Sequence, residues 1–273
     1  HLKGSGTLQL SKFKTHFGGG GAYGGTAKLL NEATMTADSV SLSMYLERDY
    51  YDNNGYQSKA KWHFLSFPFD VKLSDVVTNC DWVVRKYDGA ERAKGNYNNT
   101  WTTVPYGEML HAGQGYIWSC SGGGFELSAI DNANKNQIFA NSARTIPLQE
   151  YASEHVSNSS WNLVGNPYPC YYDVSKMDYT APITVWDRQN NTYAAYSPVD
   201  DNYVLWPYEA FFVQKPANVS SITFEADGRQ LTYTSSASAN PPTARSQSDG
   251  SEVLRHVINL ELSNGQFADR TRI

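Results

Sequence analysis

The residues that could do acid–base or metal chemistry come first. The six histidines are His1, His16, His63, His111, His155 and His256. None stands at ligand spacing from another, and no HExxH run occurs, so a zinc site has no local signature. His63 follows Trp62 in an apolar run and reads as a structural histidine. Ser66, in FLSFP, lacks the G-x-S-x-G strand-to-helix elbow that presents a nucleophilic serine. Asp70, Asp75, Glu108 and Glu209 could supply the carboxylate pair of a glycoside hydrolase. With 27 acidic residues in the chain, however, such a pair can always be drawn. Asp52-Asn53-Asn54-Gly55 and Asp200-Asp201-Asn202 are oxygen-rich but lack calcium-loop spacing, so they read as Asx turns. FGGGGAYGG (17–25) has no GK[ST] and no strand–loop–helix context, so it reads as a flexible loop and not a phosphate cradle. Cys80, Cys120 and Cys170 fit no zinc or thioredoxin spacing. They are either three small buried apolar residues or one bridge and one thiol. The expectation is a protein without catalytic residues, metal or cofactor.

What the composition does offer is aromatic surface: 14% of the chain, including 19 Tyr and 7 Trp. Rings in loops can stack on sugars, giving a flat apolar face with a polar edge. Alternation assigns Trp62, Phe64, Tyr116, Ile117, Trp161, Phe211 and Phe212 to the core. Tyr97, Trp101 and Tyr106 are left in turns, and further along Tyr171, Tyr172, Trp206 and Tyr208. Of these, Tyr97, Trp101, Tyr106, Trp206 and Tyr208 are the candidate ligand-binding residues, for a glycan or a surface protein.

The elements that must position them are strands. Charged residues are only 18% of the chain, and Thr, Val, Tyr, Ser, Asn and Gly outweigh the helix formers. A net charge of -5 without a basic cluster argues against nucleic acid or an anionic membrane surface. The longest apolar runs, AFFVQ and WVV, are too short to insert into a bilayer. HLKGSGTLQLSK has no signal-peptide h-region. A first residue other than Met reads as a processed or excised piece of a longer chain.

Val40, Leu42, Met44 and Leu46 alternate with polar residues as a strand with one apolar face. KWHFLSFPFDV is the next strand, ended by Pro68. DWVVRKYDG turns at Asp88-Gly89, and a returning strand is expected through ERAKG, with a further turn at YNNT. Two more strands flank the glycines at 122–124. The second half then repeats the first. WHFLSFPF matches WNLVGNPY, LHAGQGYIW matches LWPYEAFFV without a gap, and GGFELSA matches SSITFEA. DWVVRKYDGAERA matches APITVWDRQNNTYAAY as strand, turn and returning strand. Four blocks in one order define an internal duplication of roughly one hundred residues. In both copies proline ends the strand, since it fixes φ and donates no hydrogen bond.

The predicted fold is all-β, two related antiparallel β-sandwich (jelly-roll-like) modules in tandem. Residues 1–35 form an irregular Gly-rich segment, 36–145 the first module and 146–232 the second. A Ser/Pro-rich linker follows at 233–252, then the start of a further β element at 253–273.

WNLVGNPYP…ITVWDRQNNTYAAY…LWPYEAFFVQ resembles a segment frequent in large secreted and surface proteins of Bacteroidetes-type bacteria. In those proteins it often precedes a C-terminal secretion or anchoring region. WHFLSFPFDV and the tail LRHVINLELSNGQFADRTRI are similar to neighbouring segments of the same proteins. The resemblance implies an exported chain at the cell surface or outside the cell, and brings no catalytic residues. The expected role is non-catalytic adhesion, display or spacing, with a carbohydrate-binding module as the alternative.

Overall fold

The structure is a computed structural model that describes residues 7–18, 28–46, 62–78, 80–120, 123–130, 134–187, 192–233, 259–263 and 268–272. The chain is all-β, joined by short 3-10 turns. Its one α-helix among the described residues, α1 (Gly89–Ala93), is a single turn capped by Asp88, which accepts from Ala90 N and Glu91 N.

The first unit contains β1 (Thr7–Gly18), β2 (Thr34–Leu46), β3 (His63–Ser66), β4 (Val71–Lys72) and β5 (Val77–Thr78). It continues with β6 (Trp82–Tyr87), β7 (Trp101–Thr103), β8 (Met109–Leu110), β9 (Gly115–Cys120) and β10 (Gly123–Ile130). The second contains β11 (Arg144–Pro147), β12 (Trp161–Gly165), β13 (Tyr171–Asp173), β14 (Ile183–Asp187) and β15 (Thr192–Tyr196). Then come β16 (Val204–Leu205), β17 (Ala210–Gln214), β18 (Ser221–Phe224) and β19 (Arg229–Gln230). A separate hairpin joins β20 (Asn259–Ser263) to β21 (Ala268–Arg272).

Each unit is built around one four-stranded main sheet, and the two have the same order. The first runs β3-β9-β6-β7 and the second β12-β17-β14-β15. Around them the correspondence continues. β10 pairs with β2 as β18 pairs with β11, and β4 pairs with β8 as β13 pairs with β16. The aligned sequence blocks therefore occupy matching strands.

Strand parity separates three apolar clusters. Leu65, Phe67, Tyr116 and Trp118 face one core together with Val40, Leu42 and Met44 of β2. Val164, Phe211 and Val213 face a second with Ile222 and Phe224 of β18. The opposite faces meet each other: Leu163, Ala210 and Phe212 pack with Phe64, Tyr87, Trp101 and Trp161. The small sheets meet through these three clusters, in a propeller-like arrangement and not as two distinct tandem sandwiches. Every residue of β9 is buried, as is all of β17 except Gln214, because both faces of each main sheet are covered.

Several sequence expectations change. Residues 7–18, predicted irregular, form β1, which adds in parallel to the edge of β2. Ladder hydrogen bonds to a neighbour supply there what weak alternation does not. The stretch expected to return as a strand through ERAKG is α1, and the returning strand is β7. β9 and β10 are not a hairpin; the chain crosses from the main sheet to the outer one between them. Trp62, expected in the core, is half-buried with the Arg85 guanidinium 4.9 Å from its ring centroid. The Gly-rich loop at 19–27, the turn Asp52-Asn53-Asn54-Gly55 and nearly all of the expected linker lie outside the described residues.

Cys80 and Cys120 form a disulfide across 40 residues, and Cys170 is a buried thiol. Burial pushes the Cys170 thiol up to about 12, so it stays protonated and does not exchange with the bridge. Closing a loop of that length restricts the unfolded chain. The Cys80→Ser/Cys120→Ser variant is expected to lose about 2–4 kcal/mol, read as a lower urea midpoint with a steeper slope, because the unbridged unfolded chain exposes more surface.

A candidate ligand cleft at the join between the units

The motif WNLVGNPYP sits at the centre of the join. Its two asparagines are buried structural pins. Asn162 Oδ1 accepts from Gln149 N (2.8 Å), while its Nδ2 donates to Gln149 O and Ser160 O. Asn166 Nδ2 donates to Cys170 O and Trp206 O, and its Oδ1 accepts from Tyr168 N. A buried amide with all these partners fixes the turn after β12 and the loop before β17 together.

The join is nearly symmetric. The gap-free match of 110–118 to 205–213 makes Gly113 the counterpart of Tyr208 and Gln114 that of Glu209. Leu65 bridges to Glu209, and Val164 to Gln114. Ser66 N donates to Tyr208 O (2.8 Å), and Gly165 N to Gly113 O (3.2 Å). Gly113 and Tyr208 both have positive φ, 78° and 63°, which aims their carbonyls at the opposite unit. The paired contacts describe an approximate twofold relation between the units.

Beside the join lies a cleft of ≈ 250 Å³. β12 contributes Trp161, Asn162, Leu163 and Val164 to its wall, and the start of β9 contributes Gly115. The loops before β9 and β12 bring His111, Gln114, Gln149 and Tyr151, and Tyr87 closes it from the end of β6. Gly89 is required here: a Cβ would sit 2.3 Å from Tyr151 Cε2 and 2.5 Å from Trp161 O. Burial raises the Tyr87 phenol well above its ordinary range, against the pull of Arg92, and burial, aided by Asp88, raises Tyr151. Both hydroxyls are therefore neutral donors at physiological pH. No carboxylate is among the described residues that line the cleft.

The five residues proposed from sequence are not brought together. Tyr97 is exposed, its hydroxyl paired with Asn158 and its ring under Arg92. Tyr106 is exposed and donates to Ser74 O. Trp206 packs against Tyr171 and Tyr233, its Nε1 buried without a partner. Trp101 is half-buried among Phe64, Tyr87 and Phe212. Tyr208 is a correction: it is 0% exposed, inside the first unit's core, because its left-handed backbone turns the side chain inward. It is not a surface platform. Trp161, assigned to the core by alternation, is partly buried against the Leu163/Ala210/Phe212 cluster and also lines the cleft, with Nε1 donating to Ser157 O.

The other chemical candidates are dispersed. Asp70 accepts from Ala112 N and Asn134 Nδ2, and its Oδ1 is 3.8 Å from His111 Nδ1. Glu209 accepts from the Tyr203 hydroxyl and Trp206 N. Asp75 takes the hydroxyl of Ser74, and Glu108 is exposed. Ser66 Oγ is buried without a partner against Gly165. Asp200 and Asp201 close a turn on Ser197. Among the described residues no three His, Cys, Asp or Glu gather as a metal site, and no helix is long and apolar enough to cross a membrane.

No protein-family model, curated protein or solved structure matches the chain.

Proposed function

We propose that this chain is a non-catalytic pair of jelly-roll-like β-sandwich modules, exported to a cell surface or beyond, where it displays, spaces or adheres. The observation that carries this reading is the join. Two units locked by backbone bonds on both sides of an approximate dyad make a stiff body, which suits holding something away from a surface. The Cys80–Cys120 bridge suits an oxidising compartment. The resemblance to secreted Bacteroidetes-type segments supports the same placement, within a longer surface protein. Antibody raised against this chain is expected to label intact source cells or their medium. Labelling only after lysis overturns the reading. The second reading, a carbohydrate-binding module, is favoured by the cleft, whose wall joins aromatic rings to amides and carries no acid pair.

A further inference from the structure

The join is made once on each side of its dyad, and the two sides are filled differently. On one side Phe64 stacks on Trp186 with centroids 5.8 Å apart. The matching registers make Leu163 the counterpart of Phe64, and Tyr87 the counterpart of Trp186. Leu163 and Tyr87 both line the cleft. An aliphatic chain stands where the other side has a phenyl ring, and a phenol where it has an indole. Phe212, the counterpart of Ile117, packs 4.7 Å from Tyr87 on this side, and the cleft lies beside Leu163 and Tyr87.

A simple packing fault would leave an apolar void. This wall instead carries polar groups with capacity to spare. The Gln149 amide and the Tyr151 hydroxyl make no hydrogen bond within the described residues. Gln114 uses Oε1 to accept from the Tyr116 hydroxyl, and its Nε2 is uncommitted. Beside them stand the rings of Tyr151 and Trp161, the latter with the Arg92 guanidinium 5.8 Å from its centroid, and no Asp, Glu, Lys or Arg is among the described residues that line the cleft.

We propose that the cleft between the two units binds a neutral sugar ring, seated against Trp161 and Tyr151 with its hydroxyls held by Gln114 and Gln149. An amide offers two donors and an acceptor, which matches adjacent hydroxyls that each donate and accept. Aromatic faces take the C–H side of a pyranose by area burial. At ≈ 250 Å³ the cleft falls below the ~300 Å³ at which drug-sized pockets begin, which suits one ring better than a peptide segment. An anionic sugar would leave its carboxylate without a cation among the lining groups.

This inference rests on the carbohydrate-binding reading and not on display. The test uses the full chain, titrated with glucose, galactose, mannose and N-acetylglucosamine, with glucuronate and N-acetylneuraminate as anionic controls. Saturation-transfer NMR and tryptophan fluorescence are the readouts. At least one neutral sugar is expected to saturate with a Kd on the order of 1 mM, the range for a single ring. The anionic controls are expected to bind at least about tenfold more weakly. Gln149→Ala, on an exposed side chain that does not disturb the Asn162 pins, is expected to weaken binding about tenfold. Three results overturn the proposal: no saturation by any neutral sugar at ~100 mM, equal binding of the anionic controls, or an affinity unchanged by Gln149→Ala. Loss of binding in Trp101→Ala/Trp206→Ala, with Gln149→Ala silent, would move the site to the loop rings and equally overturn it. Surface labelling is unaffected by any of these results, so the two readings fail separately.

Discussion

Gly165→Ser is expected to destabilise the protein by about 4 kcal/mol, and adding Ser66→Gly is expected to recover at least half of the loss. A Cβ on Gly165 would lie 2.2 Å from Ser66 Cβ and 2.9 Å from Glu209 O. Positions 66 and 165 are counterparts in the two units, so the clash is between one site and its own image across the dyad. Only one of the two can carry a side chain. The neighbouring pair obeys the same rule: Gly115 is the counterpart of Ala210, and a Cβ on it would be 3.0 Å from Ala210 Cβ. Overpacking alone costs about 1–3 kcal/mol. Relief by shifting the sheets would break Asn166 N to Glu209 O and Gly165 N to Gly113 O as well, each worth about 1 kcal/mol. Ser66→Gly removes the obstructing atoms together with a buried hydroxyl that has no partner. Urea unfolding of both single variants and the double variant gives the coupling, expected at about 2 kcal/mol. A coupling near zero would mean that the two units do not meet at these residues.

The same dyad explains what the sequence shows and what it hides. The duplication is readable because strand positions keep their type: Trp62 and Trp161, Pro68 and Pro167, Asp88 and Asp187 hold matching places. The strand order of the main sheets follows from it. Alternation assumes one buried face, however, and these sheets bury two. Neighbouring residues such as Tyr116 and Ile117, or Phe211 and Phe212, are all buried, so no polar–apolar alternation in the sequence marks which face is which, although strand parity still sends neighbours to opposite sides. For the same reason a turn position such as Tyr208 reads as surface while it lies at 0% exposure. The cleft is less legible still. Gln149, Tyr151 and His111 stand in loops without periodicity, and they meet only because β12 and β9 approach across the join. The one sequence-level clue is the Leu163-for-Phe64 difference between the units, which has meaning only once the two sides of the dyad are superposed.

Raising the pH from 10 to 12 is expected to unfold the protein in one steep step, an effect larger than any single substitution above. Burial pushes the phenols of Tyr116, Tyr168 and Tyr179 up to about 12, with Arg229 and Arg144 pulling Tyr168 partly back. Their hydroxyls donate to fixed acceptors: Tyr168 to Ser142 O and Phe224 O, Tyr179 to Gln214 O, Tyr116 to Gln114 Oε1. Ionisation would remove each donor and set a buried charge against carbonyl oxygens. In the unfolded chain these phenols titrate near 10. Below that pH both states keep the proton and no stability is lost. Above it the unfolded state releases protons that the folded state must hold, so stability falls as pH rises through the folded values. Each gap from about 10 to about 12 corresponds to ~3 kcal/mol at full extent. Three together reach on the order of 8 kcal/mol, comparable with the whole stability of an ordinary domain. The last part of the tyrosinate absorbance rise and the far-ultraviolet circular dichroism are expected to change together, with a midpoint above 10 that Tyr179→Phe moves upward. Absorbance that titrates smoothly around 10 while the dichroism holds would place these rings in water, and the packing of the second core on Tyr168 and Tyr179 would be wrong.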